Sequence, residues 1–326
     1  MKPKVFITKQ IPEEVERYIA EHCEYSIWEE ETPIPEAQLK EKIKDVDGLI
    51  CPKANVTESL LSHAPNLKVI SNIAVGYDSF DTELMESHGV LGTHTPYVLD
   101  ETVADLIFGL ILSAARRIPE MDKFVRSGQW SSMEDTSLFG KDVHGATLGI
   151  VGLGRIGEKV ARRAKFGFNM NVQYYNRSRR EELEEKYGLE KKSMEELMQS
   201  SDFILTMVPL SPETTKLIGE KEFSLMKQEA VFINASRGKV VDESALIEAL
   251  KSNKIRGAAL DVFEQEPVDA ANPLLSLDNV VLTPHLGSAT QQARDAMAMK
   301  AAENLVAGVT GQAPPNVVKE LQHLVP

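Results

Sequence analysis

Three side chains that could together carry out acid–base chemistry follow short apolar runs in the second half of the chain: Arg237, Glu266 and His285. The guanidinium of Arg237 is a permanent planar cation that suits a carboxylate and can polarise a neighbouring carbonyl. His285 could donate a proton to that carbonyl oxygen, and Glu266 against the other ring nitrogen would fix the imidazole tautomer. If the runs are strands of one parallel sheet, their carboxyl ends meet at the edge where ligands bind, so we expect one shared site.

A glycine-rich segment, Gly152-Leu153-Gly154-Arg155-Ile156-Gly157, lies between an apolar run and a helical pattern. In that position the spacing is the fingerprint of a dinucleotide-binding turn. Gly152 permits the tight turn, Gly154 lets the backbone approach a pyrophosphate, and Gly157 allows the helix to pack closely. The helix amino terminus would present free N–H groups and its positive dipole end to the phosphates. The cofactor predicted here would supply a hydride, and the three side chains above would supply orientation, charge and a proton.

The segment after the next strand bears on which dinucleotide is bound. Asn176 stands 19 positions after Gly157, where a carboxylate would bind the ribose hydroxyls, and the chain continues Arg177-Ser178-Arg179-Arg180. Guanidinium forks and a serine hydroxyl could grip a ribose 2′-phosphate. We therefore predict a preference for NADP(H), with NAD(H) still possible. The alternative is a solvated helix start in which Arg177 pairs with Glu181 and Arg180 with Glu184.

Short β-rich runs alternate with helical patterns along the whole chain, which is typical of βαβ units and a parallel sheet. The first series has strands at 4–8, 25–28, 48–51, 67–73 and 90–92. The second has strands at 146–151, 171–175, 203–207, 231–234, 257–261 and 280–282. We predict an α/β fold of two doubly wound parallel-sheet domains, a flavodoxin-like substrate domain and a Rossmann cofactor domain.

Two long helices are predicted to connect these domains. The nearly all-apolar helix Asp100–Ala115 would carry the chain into the second domain. The alanine-rich helix 289–307, ended by Gly308, would return to the first. The first domain would then be discontinuous, comprising residues 1–99 and 289–326, and the dinucleotide-binding domain would comprise residues 100–288.

Composition excludes several classes of partner. The 326-residue chain has a net charge of −13, which argues against nucleic acid or an anionic membrane as a bulk partner. The two cysteines, Cys23 and Cys51, give no disulfide framework, no run is long enough to span a bilayer, and no apolar signal region follows Met1. We predict a cytoplasmic protein. No metal-ligand spacing is present, and six further histidines are predicted to be structural or exposed: His22, His63, His88, His94, His144 and His323.

The motifs together resemble the D-isomer-specific 2-hydroxyacid dehydrogenase family over nearly the whole chain. They are the glycine segment 152–157 and the segments 232–238, 260–267 and 284–290. The resemblance implies that Arg237, Glu266 and His285 are catalytic. It also implies that the amides of Val75 and Gly76 receive the substrate carboxylate. Further cofactor contacts implied by the family are Thr102, Val208, Pro209, Thr214, Ala235, Ser236, Arg237, Asp261, His285 and Gly287.

Within the family the chain is most similar to bacterial glyoxylate, hydroxypyruvate and 2-ketogluconate reductases. The expected function is NADPH-preferring reduction of these small 2-keto acids to D-2-hydroxy acids. Arg126–Trp130 resembles the family's dimerisation arm, which implies a homodimer in which Trp130 either reaches the partner's active site or only packs at the interface. One departure is Ala74, where a glycine is frequent in the carboxylate loop.

Two alternatives stay open. One is an enzyme like D-3-phosphoglycerate dehydrogenase, although no added regulatory domain follows the returning helix. The other is a cofactor-sensing binding protein like the family's transcriptional corepressors, which retain the catalytic residues. A formate dehydrogenase is disfavoured, because glutamine stands there at the position of Glu266.

Overall fold

A computed structural model of the chain describes residues 1–132 and 135–325. Met133, Glu134 and Pro326, the last residue of the predicted first domain, lie outside the described residues. The chain forms two compact units, one of residues 1–99 with 289–326 and the other of residues 100–288. Each unit has its own parallel sheet.

The first unit contains a five-stranded sheet in the order β2-β1-β3-β4-β5, with every pair parallel. Its strands are β1 (Lys4–Ile7), β2 (Glu24–Ile27), β3 (Gly48–Cys51), β4 (Val69–Asn72) and β5 (Leu91–Thr93). Its helices are α1 (Glu13–His22), α2 (Glu36–Lys42), α3 (Glu58–Ser62), α4 (Thr82–Ser87) and, late in the chain, α12 (Gln291–Val309). This strand order is the flavodoxin-like one.

The second unit contains a seven-stranded parallel sheet in the order β12-β11-β10-β9-β6-β7-β8. The strands are β6 (Thr147–Val151), β7 (Asn171–Tyr175), β8 (Glu190–Lys191), β9 (Phe203–Thr206), β10 (Val231–Asn234), β11 (Gly257–Leu260) and β12 (Val280–Leu282). The helices are α5 (Asp100–Ala115), α6 (Ile118–Arg126), α7 (Arg155–Phe168), α8 (Glu181–Tyr187), α9 (Met194–Ser200), α10 (Glu220–Leu225) and α11 (Glu243–Lys251). The six strands from β8 to β11 have the Rossmann order, and β12 extends it.

The central strands are buried along their full length, as expected when helices cover both faces of a parallel sheet. Helix α5 buries Val103, Ile107, Leu110 and Ile111. The predicted fold class, two parallel-sheet α/β domains, is confirmed. No helix of the described residues is long and apolar enough to cross a membrane.

The prediction that Gly308 ends the last helix is wrong, because α12 continues to Val309. A Cβ at Gly308 would lie 3.0 Å from the Val69 side chain, so this glycine permits close packing of α12 on β4. The chain turns at Gly311, whose φ of +78° is the left-handed conformation that glycine adopts at little cost. The two-residue strand β8 was also not predicted, since its charged residues form no apolar run.

Candidate active site

The glycine segment forms the turn between β6 and α7. Gly152 has a φ of +103°, and a Cβ there would lie 2.7 Å from the Met207 carbonyl carbon. A Cβ at Gly157 would lie 2.8 Å from the Gly152 oxygen. At Gly154, in contrast, no atom of the described residues other than its chain neighbours lies within 4 Å of such a Cβ, so open space lies beside its backbone. Two glycines close the turn, and the third borders the open space where the sequence predicts a dinucleotide phosphate.

Helix α7 begins at Arg155 and directs its first-turn amides toward that space. The Arg155 Nε donates to Asp100 Oδ2 at 3.1 Å, and Asp100 is 4% exposed at the start of α5. Ile156 and Thr102, also predicted cofactor contacts, are half-buried.

Asn176 binds the glycine turn itself. Its Oδ1 accepts from the Leu153 amide at 2.7 Å, and its Nδ2 donates to the Leu153 carbonyl at 3.2 Å. Leu153 is fully buried. Asn176, at the position predicted for a ribose-binding carboxylate, therefore holds the turn by two hydrogen bonds.

The basic residues after Asn176 differ in their surroundings. Arg177, Ser178 and Arg179 are exposed, but Arg179 Nη2 pairs with Glu184 Oε2 at 2.8 Å. This Arg179 contact and the Tyr174 hydroxyl lower the pKa of Glu184. Neither pair of the solvated-helix alternative is present among the described residues, since Glu184 pairs with Arg179 instead of Arg180.

The loop after β9 carries three more predicted cofactor residues. Thr214 Oγ1 donates to the Pro209 carbonyl at 2.6 Å and accepts from the Ser211 amide at 2.8 Å. Its hydroxyl therefore shapes the loop 209–214. Val208 is half-buried and Pro209 is exposed at the loop surface.

Arg237 lies in a turn organised by Asn234, the last residue of β10. Asn234 Oδ1 accepts from Thr206 Oγ1 at 3.1 Å and from the amide and hydroxyl of Ser236 at 3.1 and 2.9 Å. Its Nδ2 donates to the Arg237 carbonyl at 3.1 Å. Ser236 is 7% exposed and Ala235 and Arg237 are half-buried. Sequence reasoning missed Asn234, although a buried amide at the end of a central strand was a usable signal.

Gly238 brings this turn against the loop that carries Glu266. A Cβ at Gly238 would lie 1.8 Å from the Phe263 carbonyl oxygen and 2.4 Å from the Glu264 amide nitrogen, so no other residue fits without moving the backbone. The contact joins the segment after β10 to the segment after β11.

His285 and Glu266 form the central pair of the site. His285 Nδ1 lies 2.8 Å from Glu266 Oε2, and Glu266 Oε1 accepts from the Phe263 amide at 3.1 Å. The carboxylate makes Nδ1–H the donor and leaves Nε2 as the other proton-carrying position. The His285 side chain is 50% exposed, so a ligand can reach it.

Asp261, at the end of β11, holds the turn around His285. Its Oδ1 accepts from Thr283 Oγ1 and from the Leu286 amide, both at 2.7 Å, and its Oδ2 accepts from the Gly287 amide at 2.9 Å. Asp261 is 1% exposed. Its contact with a cofactor stays a prediction, and Gly287 is buried beside it.

The predicted carboxylate loop lies in the first unit, after β4. The Gly76 carbonyl accepts from Asn72 Nδ2 at 3.0 Å, and the Val75 carbonyl lies 2.8 Å from His94 Nδ1. No acceptor in residues 1–132 or 135–325 binds the amide of Val75 or Gly76. With both carbonyls held by side chains, the two amides are available to an anion. His94, predicted to be structural or exposed, is thus a loop contact that the sequence pattern did not reveal.

A Rossmann sheet with a glycine turn opening onto a helix, and a histidine–carboxylate pair at the carboxyl ends of its strands, defines a nicotinamide-dependent dehydrogenase. The family model described as "D-isomer specific 2-hydroxyacid dehydrogenase, NAD binding domain" matches residues 108–287. The chain belongs to this family and is an NAD(P)-dependent 2-hydroxyacid oxidoreductase, as the family resemblance predicted.

Individual relatives match over nearly the full length. A glyoxylate reductase of Thermococcus litoralis is 49% identical over 98% of each chain. A glyoxylate reductase of Pyrococcus furiosus is 47% identical over 98% of this chain and 96% of the relative. The crystal structure of an NADPH-dependent glyoxylate/hydroxypyruvate reductase from Sinorhizobium meliloti, in complex with NADP and malonate, has a TM-score of 0.85 at 31% identity over 98% of each chain.

Proposed function

We propose that this protein is an NADPH-preferring reductase that converts small 2-keto acids to D-2-hydroxy acids, with His285 as the general acid. The observation that carries the proposal is the 2.8 Å contact between His285 Nδ1 and Glu266 Oε2 in the dinucleotide-binding unit. A carboxylate on Nδ1 fixes the tautomer and stabilises the doubly protonated ring, so that Nε2 holds the transferable proton.

The proposed roles follow from the chemistry of each group. The guanidinium of Arg237 and the amides of Val75 and Gly76 bind the substrate carboxylate. Arg237 also polarises the adjacent C2 carbonyl. Reduced nicotinamide, when bound, supplies the hydride to C2. His285 Nε2 gives its proton to the carbonyl oxygen as the alcohol forms, and Glu266 stabilises the charged imidazole before transfer. The reverse direction uses His285 as the base.

We propose glyoxylate, hydroxypyruvate and 2-ketogluconate as substrates. The relatives at 47–49% identity are glyoxylate reductases, and the structural neighbour acts on glyoxylate and hydroxypyruvate by its description. The first unit would then be the substrate domain and the second the dinucleotide-binding domain.

The preference for NADPH is supported by the residues after β7. A carboxylate is missing at Asn176, whose side chain binds the Leu153 backbone. Arg177 and Ser178 are exposed at the same loop. Arg179 forms an ion pair with Glu184, and it would contribute to a 2′-phosphate site only if that ion pair broke. Arg177 is therefore the residue we assign the largest part in cofactor choice, and NADH remains a possible cofactor.

We also propose a homodimer in the cytoplasm. Helix α6 has an apolar side but buries none of its residues. Four large apolar side chains in this helix or the segment after it are at least half exposed: Ile118 at 50%, Val125 at 51%, Trp130 at 54% and Phe139 at 65%. Such a patch marks an interaction surface, and a second copy of the chain would cover it. Sedimentation equilibrium of the wild type and of Val125→Glu tests this, with a monomeric wild type contradicting it.

The activity is tested by initial rates of NADPH and NADH oxidation with the three keto acids in parallel. We expect turnover with NADPH, a higher kcat/KM than with NADH, and a D-hydroxy acid as product. Tight cofactor binding without turnover on any 2-keto acid would contradict the proposal and favour a cofactor-sensing binding protein. Greatest activity on D-3-phosphoglycerate would favour an enzyme like D-3-phosphoglycerate dehydrogenase.

A further inference from the structure

Two lysines lie at the carboxyl edge of the five-stranded sheet, the same edge as the Val75–Gly76 loop. Strand β1 pairs with β3, and the Thr8 amide still bonds the Ile50 carbonyl at 3.0 Å, so Lys9 follows directly beyond this pairing. Lys53 follows β3 by two residues, and the Ile73 amide bonds the Cys51 carbonyl at 2.8 Å. Both lysines are exposed. The order along the edge is therefore Lys9, Lys53 and then the loop.

Helix α12 adds a third cation to the same edge. Gly308 packs on Val69 at the start of β4, whereas the Ala301 carbonyl accepts from Ser71 Oγ at 2.7 Å, further along that strand. The helix therefore runs antiparallel to the strands, and its amino-terminal turns lie toward their carboxyl ends. Arg294 is seven residues before Ala301, about 10 Å along the helix, and is exposed.

Among the described residues, these cations have no acidic partners. Neither Lys9, Lys53 nor Arg294 forms an ion pair within the part of the chain that the structure describes. Asp295, next to Arg294, accepts instead from Gln291 at 2.7 Å. Desolvation and the positive charge of Arg294 lower the pKa of Lys9, so the two cations act on each other. In a chain with 49 acidic and 36 basic residues, these three cations are suited to binding an anion from outside the chain.

We infer that Lys9, Lys53 and Arg294 form a binding site for a second anionic group, a carboxylate or phosphate at the far end of a 2-keto acid substrate. The inference rests on the proposed function, in which Val75 and Gly76 bind the first carboxylate. Neighbouring strands are about 4.8 Å apart, so β1 lies about 10 Å from β4. Lys9, which follows β1, thus lies beyond the reach of glyoxylate held at Val75 and Gly76, and only a longer keto acid could extend toward it. The inference therefore adds to the proposed substrates a class of longer 2-keto acids that carry a second anionic group.

Paired substrates of equal chain length test this. We compare kcat/KM for 2-oxoglutarate, which has a distal carboxylate, with that for 2-oxopentanoate, which has none. The wild type is expected to favour 2-oxoglutarate by about tenfold or more, as a charge-assisted hydrogen bond allows. Lys9→Gln, Lys53→Gln and Arg294→Gln should each lower this ratio several-fold without changing kcat/KM for glyoxylate. Lys4→Gln is the matched control: Lys4 begins β1 at the opposite edge of the sheet, so this variant should leave the ratio unchanged.

Several outcomes would overturn the inference. A wild-type ratio near one, or a ratio that the three variants do not change, would remove the distal site while leaving glyoxylate reduction intact. Inorganic phosphate that binds in a Lys9- and Arg294-dependent way, with no effect of these variants on the substrate ratio, would identify a site for a free anion instead. If no keto acid is turned over, the proposed function fails. In that case, calorimetric titration measures the Kd of 2-oxoglutarate for the wild type and for the Lys9→Gln/Arg294→Gln double variant. The inference predicts weaker binding by the double variant, and equal Kd values would overturn it.

Discussion

The buried carboxylate of Asp261 holds the turn at His285 from both sides. It accepts from Thr283 before the histidine and from Leu286 and Gly287 after it. His285 itself has a φ of +54°, a left-handed conformation that is uncommon outside glycine. Such a backbone conformation persists only where the surrounding structure imposes it. Residues strained in this way are found mainly at functional sites. Asp261 therefore acts on the proposed proton donor through the backbone.

Asp261→Asn should lower both the stability and kcat. The amide NH₂ cannot accept the hydrogen bonds that one carboxylate oxygen now accepts, so at least one buried donor loses its partner, at about 1–3 kcal/mol. We expect a lower Tm and a lower kcat with a nearly unchanged Kd for NADPH. Asp278→Asn, an exposed aspartate of the same unit, is the control. A variant with wild-type Tm and kcat would show that the turn keeps its shape without Asp261.

Changes in the histidine–glutamate pair should separate proton transfer from binding. His285→Ala removes the proposed acid and should lower kcat by about 10²–10⁴-fold. Glu266→Gln keeps one acceptor for the ring and should lower kcat less, with a shifted pH profile of kcat. Quenching of tryptophan fluorescence should report NADPH binding close to wild type in both. A Glu266→Gln enzyme with an unchanged pH profile would argue against the positioning role.

Two glycine substitutions should affect different properties, one the stability of the fold and the other cofactor binding. Gly238→Ala places a Cβ 1.8 Å from the Phe263 oxygen and should destabilise the fold by about 3 kcal/mol or more, because backbone must move. The Cβ of Gly154→Ala would meet no atom of the described residues within 4 Å apart from its chain neighbours, so this variant should keep the wild-type Tm while weakening NADPH binding. Thermal unfolding and cofactor titration measure the two effects. Wild-type NADPH affinity in Gly154→Ala would mean that the phosphates lie elsewhere.

Cofactor choice should depend on Arg177. Arg177→Ala removes an exposed guanidinium beside the predicted 2′-phosphate site and should lower the NADPH-to-NADH ratio of kcat/KM by about tenfold. Arg162→Ala, an exposed arginine of α7, is the matched control. An unchanged ratio in Arg177→Ala would assign the preference to other residues.

Asp202 should make the stability of the second unit depend on acid pH. Burial opposes its ionisation, but the Thr147 amide and the Lys141 and Lys227 ammonium groups outweigh this and lower its pKa below the ordinary 3.8. A carboxyl whose pKa is lowered on folding contributes stability above its unfolded pKa and loses it as the pH falls toward the folded pKa. Asp202→Asn should therefore lower Tm at pH 7, and the difference from wild type should shrink below about pH 4. A difference that stays constant down to pH 2 would contradict this.

The strands that the sequence predicted well are those with a purely local signal. Apolar runs such as Gly48–Cys51 and Val231–Asn234 have the predicted bounds because a buried parallel strand must be apolar along its length. The charged strand β8 has no such run and forms by pairing with β7. The prediction that Gly308 ends the helix failed because the sequence alone does not distinguish a glycine that ends a helix from one that lets a helix pack closely.

The sequence by itself determined the two parallel sheets, the glycine turn and the presence of an arginine, a glutamate and a histidine after strands of one sheet. These follow from residue type and periodicity, which are local properties. Only the tertiary structure decided that Asn176 holds Leu153, that Asp261 holds the turn at His285 and that Gly238 lies against Phe263. It also placed Lys9 and Arg294, 285 positions apart in the chain, at one sheet edge. Such contacts depend on which donors and acceptors the packed chain leaves in reach of one another, and that is set by strand order and helix direction.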